Sequence, residues 1–392
     1  MDTFGFDLGT GAIKAVRMDS AGKITASLSR RVPFNRPSPG MVENDADEYF
    51  AVVREMITSL AAESGEKIAA AAFAAASGNT LLCDRENRPL TPVINWLDTR
   101  LDWTPPESWQ VRQITGWPAI PQFPLMHLEY LRRTNPDLLK TAKVTMSNEF
   151  VTCKLCGKSA LDFSSATPFY LVDQTERKYH KPFLEYFGIS EKQLPVLVDP
   201  GETIGTLKEE FITGSLTAET RITAGSFDHP SAALAAGITH PGELLISCGT
   251  SWVGFYPAEK RDDIPQTDLC DPFLSGRNGC WGGMFSLAGI GVEIENFIVS
   301  RFGSDSMRYE KFNEEALKPG TPEEKMVLQV ISRFREFFRG RKFSRAVMTG
   351  GPSEGAAWRK HLHEQLDMDI EISPYRGYTG AAGAALTAGK MR

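Results

Sequence analysis

The sequence predicts an α/β protein built from two similar domains, and three observations lead there. A strand, a glycine turn and a second strand occur twice, as FGFDLGTGAIKAV at residues 4–16 and as LLISCGTSWVGFY at residues 244–256. Around the two copies, apolar runs of strand length alternate with segments of helical spacing. The chain has 392 residues, 42% hydrophobic and 23% charged, which is a globular composition and a length for two or three domains. Laid over one another, the copies set Gly9-Thr10 on Gly249-Thr250, Asp7 on Ser247 and Lys14 on Gly254. Such a duplication implies two related domains facing one ligand, a nucleotide. Two ordinary glycine-turn hairpins are the plain alternative.

In chain order, residues 3–8, 12–18 and 24–31 read as a three-stranded meander around Gly and Asp/Ser turns. A Pro-rich loop follows at 33–40. Asp45 is a good N-cap, and Tyr49, Phe50, Val53, Ile57 and Leu60 recur at helical spacing, so 46–63 is a helix. Residues 68–76 form a small-residue buried strand. Trp96-Leu-Asp98-Thr-Arg100 then sets an aromatic and two opposite charges at a strand end, where α/β domains keep their ligand clefts. A buried Trp beside a surface ion pair explains it equally well. Residues 103–124 are a long Pro- and Trp-rich connection, followed by helices at 124–133 and 148–156 and a strand at 202–207.

The second half opens with a strand at 222–224, the turn Gly225-Ser-Phe-Asp228-His229, and a small-residue helix at 230–236. After the second hairpin, strands are expected at 273–275 and 279–285 and helices at 287–302 and 323–338. Val327, Val330, Ile331, Phe334 and Phe337 mark the buried face of the latter. A strand at 345–348 runs into Thr349-Gly350-Gly351-Pro352-Ser353 and a helix lined by Trp358, Leu362 and Leu366. Residues 378–388 are a small-residue helix able to pack closely on a sheet.

Net charge is −6 and the isoelectric point near 5.7, which argues against nucleic-acid binding through a broad basic face. No apolar run has the length of a membrane span, and no charged-then-apolar leader is visible, so a cytoplasmic protein is expected. The six cysteines are scattered and read as reduced thiols. Cys153-Lys-Leu-Cys156 has metal spacing, but without a second pair it reads as two helix cysteines one turn apart. The chemistry lies elsewhere. An acid at a strand-to-helix turn, Asp228, can act as a base on a ligand. A Gly-Thr turn offers backbone N–H groups and a hydroxyl to an anion. Base and cradle about twenty residues apart suggest phosphoryl transfer.

With these motifs in this order, the sequence resembles the FGGY family of carbohydrate kinases, of the actin-like ATPase fold. Asp7 to Lys14 resembles the first phosphate motif, AGSFDHPSAALAAG at 224–237 the catalytic-aspartate segment, and Gly249-Thr250-Ser251 the second phosphate motif. Gly350-Gly351-Pro-Ser353 to Trp358-Arg359 resembles the adenosine motif, and 380–385 the closing small-residue helix. Residues 88–100 and 202–207 also fit. The resemblance implies two actin-like ATPase (ribonuclease H-like) domains with an interdomain cleft, at residues 1–224 and 225–392. It implies ATP with its phosphates on Gly9-Thr10 and Gly249-Thr250 and its adenosine at Gly350, Gly351 and Ser353. Mg²⁺ would bridge the phosphates with Asp7 near it. Asp228 would take the proton of a sugar or polyol hydroxyl as that oxygen attacks the γ-phosphorus. Lys14 would neutralise phosphate, or be a strand-edge lysine. His229 would stand beside the acceptor, or be a structural histidine. Ser77, Gly78, Asn79, Trp96 and Asp98 would complete the acceptor pocket.

Three departures accompany the resemblance. The chain is short between the second phosphate motif and the adenosine motif, where 303–321 passes quickly into one helix, which leaves a homodimer open. Ser77-Gly78-Asn79 replace bulky or charged sugar contacts. His127 stands where the family carries a lysine. The alternative function is a catalytically impaired regulator that binds nucleotide and sugar on the same fold.

Overall fold

The computed structural model describes residues 1–76 and 78–389. The elements that matter here are β1 (Asp2–Leu8), β2 (Ala12–Met18), β3 (Ile24–Arg31), α1 (Ala46–Ala62), β4 (Ile68–Ala75), α2 (Ser147–Cys156), β5 (Thr203–Thr206), β6 (Arg221–Thr223) and α3 (Asp228–Ala235). They are followed by β7 (Glu243–Cys248), β8 (Trp252–Ala258), β9 (Leu269–Asp271), β10 (Trp281–Leu287), α4 (Ile290–Phe302), α5 (Arg308–Ala316), α6 (Pro322–Glu336), β11 (Arg345–Gly350), α7 (Ala356–Leu366), β12 (Asp369–Ile372) and α8 (Thr379–Gly389). The helices start where local chemistry allows. Asp45 accepts from Glu48 N at 2.8 Å to open α1, and Thr321 accepts from Glu324 N at 3.1 Å to open α6.

The chain forms two compact units, Met1–Ser231 with the segment that starts at Gly380, and Ala232–Thr379. The sequence division at 224/225 differs in two ways. Asp228 and His229 stand in the first unit, and so does nearly all of α8. The reason for the second is visible in small residues. A Cβ on Gly5 of β1 would lie 1.9 Å from Ala381 O, and Ala384 and Ala388 pack on Ala70, Ala72 and Ala74 of β4. Only side chains this small let a helix backbone lie directly on the sheet.

Each unit is built on a six-stranded mixed sheet, in the order β5-β6-β4-β1-β2-β3 in the first and β9-β10-β8-β7-β11-β12 in the second. Five strands correspond one to one. β1 and β7 each pair antiparallel with the next strand and parallel with β4 or β11, and a further parallel strand, β6 or β12, lies beyond. The repeated hairpin therefore belongs to a repeated sheet. The first unit's core gathers Phe4, Phe6, Ile13, Val53, Met56 and Leu60, and the second's gathers Ile246, Trp252, Val327, Val330, Phe334 and Trp358. No helix among the described residues is long and apolar enough to cross a membrane.

Two local expectations fail. The strand expected at 273–275 lies earlier, as β9. It ends because the Asp271 carboxylate accepts from Phe273 N at 2.7 Å, a side-chain turn that takes the backbone to φ +40° at Phe273. The stretch 303–321 holds a helix of its own, α5, whose buried side chains are Phe312 and Ala316.

Candidate active site

In the first unit β1, β4 and β6 run parallel, so their carboxyl ends lie along one edge, and the residues that follow them meet there. Asp7 is the penultimate residue of β1. β6 is continued by residues 225–227. Ala75 N donates to Ser226 O at 3.2 Å, Phe227 bridges Ala75, and a Cβ on Gly225 would stand 1.9 Å from Phe73 O. Asp228 then opens α3 with its side chain about 25% exposed. Its Oδ1 accepts from His229 N at 2.7 Å and lies 3.9 Å from His229 Nε2.

These two carboxyl groups share a poorly solvated corner. Burial, and then the charge of Asp228, push Asp7 up to about 7, against the pull of Lys14, its cross-strand partner. Burial also raises Asp228, which the neighbouring His229 opposes. Gly380, at the start of α8, comes so close to Asp7 that a Cβ there would sit 2.8 Å from Oδ2. Thr10 is the middle residue of the Gly9-Thr10-Gly11 turn, and its hydroxyl accepts a hydrogen bond from Trp96 Nε1 at 2.7 Å.

An aromatic wall adjoins this corner. Trp96 stacks on Phe123, Phe123 packs edge-on against Trp117, Trp117 against Phe227, and Phe227 against His229. Phe123, Trp117 and Phe227 escaped sequence reasoning. The Pro- and Trp-rich stretch at 103–124 was the signal, but nothing in it says which strand ends it covers. Gly78 is needed beneath this wall, since its φ is +94° and a Cβ would stand 2.3 Å from the Phe123 ring.

Other expected contacts point inward. Asn79 is buried, donating from Nδ2 to Ser147 Oγ at 3.0 Å and accepting from Ser147 N at 2.8 Å, which fixes the start of α2. Asp98 is 1% exposed and accepts from Val42 N at 2.6 Å and from the Arg100 guanidinium on both oxygens, while Arg100 also reaches Glu43 at 2.6 Å. The ion pair expected at the surface is therefore an internal brace for the loop that carries Trp96. Ser77 lies outside the described residues. His127 is buried with Nδ1 at 3.0 Å from Thr80 Oγ1, and burial pushes its ring down to about 3. It is neutral and cannot supply the charge of a lysine.

In the second unit the carboxyl ends of the parallel strands β7 and β11 open on a cavity of about 770 Å³, a size for a small-molecule ligand. Gly249, Thr250, Gly351, Pro352 and Gly355 form one side, and Val292, Ile298, Phe312 and Trp358 give it apolar walls. The turn is pinned from α4, as Gly291 N donates to Thr250 O at 2.9 Å and Gly289 N to Ser251 Oγ at 3.2 Å. Gly350 has φ +95°, and a Cβ there would be 2.1 Å from Cys248 O, so β11 can approach β7 only without a side chain. Ser353 is buried and donates to Gly350 O at 2.6 Å, holding the loop rather than facing the cavity. Gly291, Tyr309 and Asn313 also line the cavity and were missed, the last two because α5 itself was.

The model of the FGGY family of carbohydrate kinases, N-terminal domain, matches residues 3–235, more than half of the chain. The chain belongs to the FGGY family. Among FGGY relatives, a xylulose kinase of Lactococcus lactis is 26% identical over 259 residues, covering 64% of this chain and 52% of its own. A gluconokinase of Bacillus subtilis is 25% identical over 278 residues, covering 67% and 52%. The chain thus spans about half the length of the curated relatives it matches. Its fold is that of a xylulose kinase from Lactobacillus acidophilus (TM-score 0.86, 19% identity, 99% of this chain and 88% of the other). A glycerol kinase from Plasmodium falciparum is similarly close (TM-score 0.84, 16% identity, 99% and 89%). These likenesses establish the actin-like ATPase fold of the FGGY kinases for both units.

Proposed function

We propose that this FGGY chain is an ATP-dependent carbohydrate kinase that transfers the γ-phosphate of ATP to a hydroxyl of a sugar or polyol. The carrying observation is the carboxyl corner of the first unit, where Asp228 stands at a strand-to-helix turn with its proton affinity raised by burial and with Asp7 as its neighbour. A base whose affinity for a proton is raised is better matched to taking one from an alcohol. Asp228 accepts the acceptor's proton as the oxygen attacks the γ-phosphorus, and His229 and the aromatic wall hold the acceptor's carbon face and exclude water. Asn79 and Asp98 act through the residues they brace.

The cavity of the second unit takes the adenosine of ATP, and each Gly-Thr turn, at Gly9-Thr10 and at Gly249-Thr250, offers backbone N–H groups and a hydroxyl to a phosphate. Asp7 suits Mg²⁺. That ion is commonly held by one or two carboxylates plus substrate phosphates, and a cation beside Asp7 relieves the cost of burying its charge. When bound, the ion would neutralise phosphate charge, with Asp7 as the residue that would hold it and Lys14 as a further positive charge toward the phosphate. The six free cysteines suit a reducing, cytoplasmic setting.

The test is ATP consumption by the purified protein with Mg²⁺ against a panel of ketoses, aldoses, polyols and sugar acids. One responding class, with turnover abolished by Asp228→Asn, is the expected result. Silence across the panel with ATP binding intact would replace this reading with the non-catalytic regulator.

A further inference from the structure

We propose that Trp96 is a positioning residue for the transfer step, its indole N–H orienting the Thr10 hydroxyl so that the hydroxyl's own proton is left for a phosphoryl oxygen. The inference rests on the kinase reading above and adds a residue and a role to it. Its basis is the contact between Trp96 Nε1 and Thr10 Oγ1, 2.7 Å apart and 86 residues apart in sequence. An indole nitrogen only donates, whereas a threonine hydroxyl has one proton to give and two lone pairs to accept with. Thr10 is therefore the acceptor in this pair, and one of its lone pairs is used. Its proton must go to a different partner. At a turn between Asp7 and Lys14 the ligand that brings acceptor-only oxygens is a phosphate, and a hydroxyl donating to an anion makes one of the stronger hydrogen bonds.

The turn itself does not fix that hydroxyl. Thr10 lies between Gly9 and Gly11, and a Cβ on Gly11 would meet nothing within 4 Å. Trp96, by contrast, sits on a braced loop. The preceding Asn95 donates from its backbone to Val42 O at 2.9 Å and from Nδ2 to Asn44 Oδ1 at 2.9 Å. Asp98, two residues on, grips Val42 N and Arg100. The ring stacks on Phe123 with centroids 6.3 Å apart, and Phe123 is seated over Gly78. A braced donor is thus presented to the turn, which prepays the ordering of the hydroxyl before the reacting group arrives.

The test uses four forms of the full chain: Trp96→Phe, which keeps the stacked ring and removes the donor, Thr10→Val, Thr10→Ser, and the Trp96→Phe/Thr10→Val double variant. With a responding acceptor, Trp96→Phe is expected to lower kcat about tenfold while both KM values stay within about twofold. The double variant should be no slower than Thr10→Val alone, and Thr10→Ser, which keeps the hydroxyl, should retain activity. A rise in acceptor KM with kcat unchanged makes Trp96 a pocket wall only and overturns the proposal. So do losses that multiply in the double variant. If no acceptor is phosphorylated, calorimetry gives the ratio of the affinity for ADP with aluminium fluoride, which mimics the phosphoryl group in transfer, to the affinity for ATP. It should fall about tenfold in Trp96→Phe and Thr10→Val and no further in the double variant. An unchanged ratio overturns the role of Trp96, and the silent acceptor panel separately overturns the kinase reading.

Discussion

The first hairpin turns through four residues, between Leu8 and its partner Ile13, and the second through three, between Cys248 and Trp252. One residue of difference shifts the pairing. Asp7 faces Lys14 in the first copy, whereas Ser247 faces Val253, and not the Gly254 that a residue-by-residue overlay suggests. The longer turn belongs to the copy with charges, and its carboxylate is held near neutrality by burial and by Asp228. The shorter turn is neutral, is pinned by the first turn of α4, and opens on the large cavity. A duplicated sheet supplies a Gly-Thr turn twice. In the function proposed above, the residues grafted onto the first copy handle the acceptor's proton and those around the second hold the nucleotide.

The largest expected effect tests that separation. Asp228→Asn should lower kcat by about a thousandfold, the scale of losing a general base, and leave the ATP dissociation constant within about twofold by calorimetry. Loss of ATP binding in this variant would break the division of labour between the copies. The mirror experiment is Gly291→Ala. A Cβ there would lie 2.1 Å from Gly249 O and must displace the second turn. ATP affinity should drop by roughly ten- to a hundredfold, the range a displacement of about 1 Å can cost. The stability of the first unit, followed by hydrogen exchange of β1 and β4, should not change.

A smaller effect separates the hairpins by pH. Asp7 is raised from 3.8 to about 7, so the folded protein binds a proton that the unfolded chain has released. The folded state then holds more protons than the unfolded state between about pH 4 and 7, and stability falls as pH rises through that window. Asp7→Asn should abolish the fall and leave the ligand-free protein about 1–3 kcal/mol more stable at pH 8 by denaturant titration, although inactive. Ser247→Ala, at the matching position of the second copy, should show no such pH signature. An opposite trend comes from His127, whose ring is pushed down to about 3. The unfolded chain gains that proton as pH falls below about 6.5, so stability falls with it, and His127→Gln should flatten the acid limb.

What was legible in the sequence is what local chemistry determines. Gly9-Thr10 and Gly249-Thr250 between apolar runs imply hairpins because only a few backbone forms reverse a strand so tightly. Asp45 and the apolar spacing after it define α1. Helix α5 was not legible, because two buried side chains in nine residues give no periodic signal and its role is to line a cavity. Asn79 and Asp98 were correctly located at strand ends, but their partners, Ser147 and Val42, are 68 and 56 residues away. A polar side chain braced inward and one facing a ligand look alike until those partners are known. The small-residue helix at 378–388 was visible as something that packs closely on a sheet. Which of the two sheets receives it depends on Gly5, nearly the whole chain away.

That attachment has a consequence for synthesis. The first unit is closed by a helix made after all of the second, since α8 lies on β1 and β4 and Gly380 sits against Asp7. While a ribosome is still adding residues before 380, the sheet bearing Asp7 and Asp228 has an uncovered alanine-lined face. The second unit's residues are contiguous and can condense first. The corner proposed to activate the acceptor is therefore completed only after every residue of the second unit has been made.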